Sequence, residues 1–129
     1  MAREIFVDTS GFYAILVGRD DMHERAARIL RQAESRKAPF VTTDYVLDDT
    51  AWRMVEPFVK STLASKACAV EWTGPEDFAK AVTFRSKHID QNWSFTDCVS
   101  FQTMRARRLT DALTKDQHFE RAGFKALLR

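Results

Sequence analysis

The chain has 129 residues and a formal net charge of +2, and 45% of its residues are hydrophobic while 29% are charged. This composition is typical of one compact domain and excludes disordered and fibrous classes, and a charge this small does not by itself indicate nucleic-acid binding. Apolar runs such as 13–17 are far shorter than the roughly 20 residues that cross a bilayer, so no membrane segment is predicted.

The first residues, MAREIFVDTS, contain an acid and lead directly into an apolar run, so no signal peptide is predicted. Cys68 and Cys98 have no paired spacing. We therefore expect free, mostly buried thiols rather than a disulfide, and a reducing cytoplasmic location.

Short apolar runs alternate with amphipathic segments along the whole chain. In chain order, the sequence predicts strand 4–8, helices 9–20 and 21–37, strand 38–43, helices 44–55 and 58–66, strand 67–72, helices 74–88 and 95–108, strand 111–116, helix 118–123 and strand 124–128. This alternation predicts an α/β fold with a parallel sheet covered on both faces, in one doubly wound domain spanning residues 1–129.

Several helix ends carry sequence signals. Thr9 or Ser10 is a candidate cap for helix 9–20, and Asp20 or Asp21 is one for helix 21–37. Pro57 is expected to stop or kink the preceding helix. Gly123 is expected to end helix 118–123.

Acidic residues fall where an open parallel sheet binds its ligands, beyond the carboxyl ends of the strands. Asp8 and Asp116 each end a predicted strand, Asp97 lies at the start of a helix, and Asp49 lies in the first half of another. These positions can converge on one edge of the sheet. An aspartate at such a place also caps the next helix, so capping is an alternative role for Asp8 and for Asp116.

Asp97 is the most unusual of these acids, because it lies in the apolar segment NWSFTDCVSF. Phe101 and Met104 follow it by four and seven residues and share its helix face, which is the core-facing one. An unpaired carboxylate loses several kcal/mol on burial, so Asp97 needs a partner. A capping box with Ser94 is the alternative explanation, and it does not exclude metal binding, since a carboxylate has two oxygens.

The second helical acid has two candidates. The apolar stripe of helix 44–55 is formed by Leu47, Ala51, Met54 and Val55. On the helical wheel this stripe places Asp48 nearer the buried face than Asp49. Both acids also suit a solvated helix start, which the helix dipole favours.

Several acids held close together would raise one another's pKa unless a cation were present. Mg²⁺ prefers oxygen ligands and commonly binds one or two carboxylates together with phosphate oxygens. Such a site can lower the pKa of a water molecule and stabilise the leaving oxygen of a phosphodiester. The acids therefore favour a metal-dependent phosphodiesterase.

Four segments, IFVDTSGFYAIL, VTTDYVLDDT, WSFTDCVSF and DALTKDQHFERAGF, resemble in order the four acidic motif regions of PIN-domain ribonucleases. The likeness is greatest to VapC-type toxins of toxin–antitoxin pairs and spans residues 4 to about 128. It implies a three-layer α/β/α sandwich with four or five mainly parallel strands, and a Mg²⁺- or Mn²⁺-dependent endoribonuclease. It also implies a homodimer and a small antitoxin that covers the site.

Position by position, the resemblance assigns the catalytic acids as Asp8, Asp49, Asp97 and Asp116. Asp8, Asp97 and Asp116 would be metal ligands, while Asp49 and Asp116 would orient the attacking water or a second ion. The family usually has glutamate where this chain has Asp49, so the arm is one methylene shorter here. We choose Asp49 over Asp48 because the match by position is unambiguous.

Other residues have weaker assignments. Thr9, Ser10 and Thr96 are candidate hydrogen-bond donors to the ligands, with helix capping as the alternative. Arg105, Arg107 and Arg108 are candidates to contact RNA phosphates or an acidic antitoxin tail. We interpret His118 as a turn or capping residue. Trp52, Trp72 and Trp93 are expected in the core or an interface, with base stacking as an alternative for Trp93.

Rival functions are less well supported. A phosphoaspartyl phosphatase would need an acid two residues after Asp8, where Ser10 stands, and a dinucleotide-binding fold would need a glycine-rich first turn, where only Gly11 is present. Another metal-dependent phosphoesterase on a doubly wound sheet stays open. So does a PIN-like module that binds RNA or protein with little or no cleavage, which the short arm of Asp49 would suit.

Overall fold

A computed structural model describes residues 3–51 and 56–129 of the chain. The elements in order are β1 (Ile5–Val7), α1 (Thr9–Leu16), α2 (His23–Ser35), β2 (Phe40–Thr43), α3 (Asp44–Ala51), α4 (Glu56–Ala64), β3 (Cys68–Glu71), α5 (Pro75–Lys87), α6 (Phe95–Ala106), β4 (Asp111–Leu113), α7 (Gln117–Arg121) and β5 (Lys125–Ala126). Within these ranges no helix is both long and apolar enough to span a bilayer.

The strands form one parallel sheet in the order β3-β2-β1-β4-β5. Right-handed crossovers in this order put α1 to α4 on one face and α5 to α7 on the other, which gives three layers. The packing of α1 on α2 and α3, and of α6 on α5 and α7, agrees with this division. The predicted α/β/α sandwich with a parallel sheet is confirmed.

The core lies on both faces of the two central strands. Every residue of β1 and β2 is buried, as expected for parallel strands covered by helices. On one face, the rings of Phe101 and Phe119 pack 4.9 Å apart, and Phe119 also packs on Phe6 of β1. This packing fixes α6 and α7 against the sheet.

The predicted strand 111–116 is longer than the observed β4, which ends at Leu113. Beyond that point the Thr114 carbonyl still accepts the Leu128 N–H at 3.1 Å, but the next two N–H groups bond to side chains. The Lys115 N–H donates to Ser10 Oγ at 2.9 Å, and the Asp116 N–H donates to Thr114 Oγ1 at 3.0 Å. The strand therefore ends at Leu113, three residues before Asp116.

The predicted cap of the first helix is wrong. Asp8 occupies the N-cap position of α1 and makes no side-chain cap bond, while the hydroxyls of Thr9 and Ser10 bond to other elements. Asp20 contributes at the second helix, since its Oδ1 accepts the N–H of the N-cap residue Met22 at 2.9 Å.

Pro57 is the second residue of α4, where its missing N–H removes no intrahelical hydrogen bond. The predicted helix end at 52–55, with Trp52, Met54 and Val55, lies outside the described residues. Cys68 and Cys98 are free thiols, and Cys98 is buried, as predicted.

The tryptophan predictions have two outcomes. Trp93 is a core residue, stacked on Phe84 at 5.8 Å and only 6% exposed, so it cannot stack on a nucleic-acid base. Trp72 is 64% exposed, so it is not a core residue, and its alternative place in an interface stays a prediction.

Candidate functional site

Beyond the carboxyl ends of β1 and β4 lies an open cavity of about 620 Å³. This is the point where the first crossover goes to one side of β1 and the later strands lie on the other, and open α/β sheets bind ligands at such a point. Five acids line the cavity, namely Asp8, Asp20, Asp49, Asp97 and Asp116. The predicted convergence of the four motif acids on one edge of the sheet is what the structure shows.

Asp8 lies deepest and is 7% exposed. Its Oδ2 accepts a hydrogen bond from Thr114 Oγ1 at 2.9 Å. Burial raises the pKa of Asp8 from 3.8 to about 7, against hydrogen bonds from Thr9 and Thr114 that lower it, while Asp97 and Asp116 raise it further. The charged form of Asp8 is therefore costly in this cavity unless a cation is bound.

Asp97 is held by the start of α6. The Asp97 N–H donates to Ser94 Oγ at 3.0 Å, and the Ser94 N–H donates to Asp97 Oδ2 at 3.1 Å, so the predicted capping box is present. Asp97 is nevertheless part of the cavity, together with Ser94. Burial raises the pKa of Asp97, as for Asp8, and hydrogen bonds from Ser94 and His118 oppose the rise. Capping and site membership therefore coexist.

Phe101 and Met104 are both buried on the same face of α6 as Asp97, as the helical wheel predicts. This packing turns the face that carries the carboxylate toward the interior. The core-facing position of Asp97 follows from its neighbours along the helix.

Asp116 occupies the N-cap of α7, and its Oδ1 accepts the His118 N–H at 2.8 Å. The side chain is one-third exposed and faces the cavity. Among the described residues, Asp97, Asp116 and His118 offer ligand atoms that all lie within 4.8 Å of one another, a spacing that could hold a metal ion. Asp116 therefore caps α7, as predicted, and also lines the cavity.

Asp49 lies on the more open side of the cavity and accepts a hydrogen bond from Thr9 Oγ1 to its Oδ2 at 2.8 Å. Asp48 and Asp49 are both exposed, and Asp48 does not line the cavity. The structure therefore does not bring Asp48, the residue that the helical wheel favours, to the cavity. The choice of Asp49 by position agrees with the geometry.

The three predicted donors all line the cavity. Thr9 holds Asp49, as described, and Ser10 Oγ lies 3.1 Å from Thr114 Oγ1, which in turn donates to Asp8. Thr96 lies in the first turn of α6 and is partly exposed at the cavity. Two of the three thus connect the acids to neighbouring elements.

The arginine cluster is elsewhere. Arg105 lies eight residues after Asp97 in the same direction along α6, or about 12 Å away at the rise of an α-helix. Arg107 is ion-paired with Glu4 at 2.6 Å and with Glu71, and Arg105 lies over the ring of Phe84. The structure does not bring Arg105, Arg107 and Arg108 to the acidic cavity.

Sequence reasoning missed three cavity features. His118 Nδ1 lies 3.1 Å from Asp97 Oδ2, although the sequence indicated a turn or capping role. Thr114 donates a hydrogen bond to Asp8, and its position two residues before Asp116 is the feature of the sequence that could have indicated a place in the site. Lys115 is held at the cavity by Asp20 and Asp21, at 2.8 and 2.7 Å.

Residues 5–125 match the model of the PIN domain family. The chain belongs to the PIN-domain family. Among curated PIN-domain relatives, the 23S rRNA-specific endonuclease VapC20 of Mycobacterium tuberculosis, in strains H37Rv and CDC 1551, is 30% identical over 129 residues, which is 93% of this chain and 95% of the relative. The crystal structure of M. tuberculosis VapC20, described as a sarcin-ricin loop cleaving toxin, superposes with a TM-score of 0.79 at 27% identity and covers 93% of this chain and 95% of that one.

These matches confirm the prediction of a VapC-type PIN-domain ribonuclease. PIN nucleases depend on metal, and the acids of the cavity could bind one.

Proposed function

We propose that this chain hydrolyses RNA phosphodiester bonds in the acidic cavity, with Mg²⁺ or Mn²⁺ as its cofactor. The observation that supports this proposal is the convergence of Asp8, Asp97 and Asp116 from three separate elements on one cavity at the switch point of the sheet. These aspartates favour a bound cation, because burial first and then the charges of Asp97 and Asp116 raise the pKa of Asp8, and burial and the charge of Asp116 raise the pKa of Asp97.

The donor set fits a divalent cation of the magnesium type. The three proposed ligands are carboxylates, which Mg²⁺ and Mn²⁺ bind through oxygen. Asp8, Asp97 and Asp116 would hold the ion, and when bound it would lower the pKa of a water molecule and stabilise charge on the scissile phosphate. The cavity is also open enough to admit a phosphodiester beside these acids.

The chain's own residues would perform three tasks. Thr114 and Ser94 fix the carboxylates of Asp8 and Asp97 by hydrogen bonds, so both acids are oriented before substrate arrives. Asp49, held by Thr9, would accept a hydrogen bond from the attacking water on the open side of the cavity. Asp8, which is 7% exposed, would bind the cation in surroundings of low dielectric, where the attraction between the two charges is stronger.

The three predicted arginines lie outside the cavity and differ in whether they could contact RNA there. Arg107 is neutralised by two glutamates, so we do not assign it to phosphate. Arg105 and Arg108 are exposed and stay predicted contacts for RNA phosphates or for an acidic segment of an antitoxin.

We also infer, from family membership, that the chain is the toxin of a VapBC-type pair, that a small antitoxin covers the cavity, and that the protein is a cytoplasmic homodimer. The similarity to VapC20 supports the first of these inferences. Co-expression with the product of a neighbouring reading frame, followed by size-exclusion chromatography, would test the complex and the dimer.

Cleavage of a synthetic RNA stem-loop with the sarcin-ricin loop sequence tests the function directly. We expect cleavage with Mg²⁺ or Mn²⁺, loss of cleavage in EDTA, and loss in Asp97→Asn, whose amide still offers an oxygen to the Ser94 N–H. Asp48→Asn is the matched control, because Asp48 is an exposed aspartate outside the cavity, and it should cleave like the wild-type chain.

Metal-independent cleavage, or full activity of Asp97→Asn, would contradict this proposal. Binding of Mn²⁺ without cleavage of the stem-loop or of total RNA would instead favour a binding module. Cleavage of total RNA but not of the stem-loop would keep the nuclease and show that its substrate differs from that of VapC20.

A further inference from the structure

The Asp97 carboxylate is held through one of its two oxygens. Oδ2 accepts the Ser94 N–H at 3.1 Å and lies 3.1 Å from His118 Nδ1. In the part of the chain that the structure describes, Oδ1 has no hydrogen-bond donor. One oxygen is thus occupied by protein donors, and the other is left for a ligand.

His118 is itself well fixed. It is the second residue of α7, where its N–H is bound to Asp116 Oδ1 at 2.8 Å, and the adjacent Phe119 is fully buried against Phe6 and Phe101. The imidazole is 24% exposed, and its Nδ1 also lies 3.5 Å from Asp116 Oδ1. The ring therefore sits between the carboxylates of two separate elements at a position set by core packing.

From this geometry we propose that His118 is a positioning residue, which donates its Nδ1–H to Asp97 Oδ2 so that Oδ1 is presented to the divalent cation. The inference rests on the proposed function, because it concerns the same cation site. The tautomer required carries the proton on Nδ1. Carboxylates that bind metals are commonly oriented by such donors.

Two donors are needed because the terminal torsion of aspartate is broad and a single hydrogen bond does not fix the carboxylate plane. The Ser94 N–H approaches Oδ2 from the start of α6, and the imidazole approaches the same oxygen from α7. Without the imidazole donor the carboxylate could rotate, and the cation would have to order it. The expected cost is weaker cation binding in the absence of RNA.

Two variants of similar size separate the hydrogen bond from the ring. His118→Asn places an N–H near the position of Nδ1, whereas His118→Leu fills the same space without a donor. Mn²⁺ binding would be measured by electron paramagnetic resonance without RNA, with circular dichroism as the check on folding. His118→Ala is a second variant without a donor, for use if the leucine variant does not fold.

We expect His118→Leu to weaken Mn²⁺ binding by about 10- to 100-fold and His118→Asn to stay close to the wild-type affinity. Wild-type affinity in both donor-free variants would overturn the proposal. Equal losses in His118→Asn and His118→Leu would also overturn it, because the imidazole itself would then be required.

Mn²⁺ binding and RNA cleavage by the wild-type chain distinguish a failure of this inference from a failure of the proposed function. If it neither binds Mn²⁺ nor cleaves RNA, the proposed function fails and takes the inference with it. If it does both while the donor-free variants bind Mn²⁺ unchanged, the inference alone fails.

Discussion

Asp8→Asn should stabilise the metal-free protein at alkaline pH, although it removes a proposed catalytic acid. The wild-type carboxyl has its pKa raised by burial from 3.8 to about 7. A group whose pKa is raised on folding favours the folded state while it is protonated, so this stability is fully present below about pH 4 and is lost as the pH rises through about 7. The side chain of the Asp8→Asn variant does not ionise, so the variant does not lose this stability as the pH rises.

The magnitude follows from the two pKa values. At pH 8 the raised pKa of Asp8, about three above its ordinary value, corresponds to about 4 kcal/mol of lost stability, an upper value for the gain in Asp8→Asn. Thr114 keeps a partner in the variant, since the amide oxygen can accept the hydrogen bond now made to Asp8 Oδ2. The Thr114 hydroxyl is therefore not left without an acceptor.

Urea unfolding in EDTA at pH 4, 6 and 8, followed by tryptophan fluorescence, would measure this effect. The buried Trp93 makes the emission sensitive to unfolding. We expect the free energy of unfolding of Asp8→Asn to exceed that of the wild type most at pH 8 and little at pH 4. Asp48→Asn, which changes an exposed carboxylate, should differ from the wild type by the same small amount at each pH. Saturating Mn²⁺ should reduce the difference in free energy of unfolding between Asp8→Asn and the wild type. An Asp8→Asn variant no more stable than the wild type at pH 8 in EDTA would refute the reasoning.

Three further outcomes are expected. Gly11→Ala should unfold at markedly lower urea concentration, because its Cβ would lie 2.1 Å from the Leu113 carbonyl oxygen, whereas Gly18→Ala has open space and should be neutral within about 0.5 kcal/mol. Asp49→Glu should keep or raise Mn²⁺-dependent cleavage, and a complete loss would show that the wrong acid was chosen. Dialysis against EDTA should leave the far-ultraviolet circular dichroism of the wild type unchanged, because the acids are held by protein donors; unfolding would contradict this expectation.

The fold could be predicted from the sequence because the apolar pattern changes between strands and helices with little ambiguity. The runs in 5–7 and 40–43 are continuous and buried on both sides, and the helices between them are amphipathic. The ends of the elements were less predictable, since they depend on contacts distant in sequence. Ser10 takes the Lys115 N–H from 105 residues away and so helps to end β4.

The acids of the site were predictable for a related reason. Asp8, Asp97 and Asp116 stand at element ends, and element ends of a parallel sheet meet at one edge. His118 was not predictable, because its role depends on a ring nitrogen that reaches Asp97 across 21 residues, a distance that no periodicity encodes.

Nearness in sequence did not place the three arginines in one shared environment, and only the assignment of Arg107 to phosphate is withdrawn. Arg105 and Arg107 are two residues apart, so they point about 200° apart around the helix axis. Arg105 packs over Phe84, and Arg107 pairs with glutamates near β1 and at the end of β3. The ion pairs neutralise Arg107, while Arg105 and Arg108 stay exposed.

Asp97 combines two roles in one side chain, the capping box of α6 and, in the proposed function, the binding of a cation. If the proposed function holds, alanine at this position would abolish cleavage and would also destabilise the start of α6, whereas neutralising Asp8 removes a buried charge that disfavours the folded chain. On the proposed function, related chains that have lost cleavage but still fold are therefore expected to replace Asp8 more readily than Asp97, because only Asp97 also caps a helix.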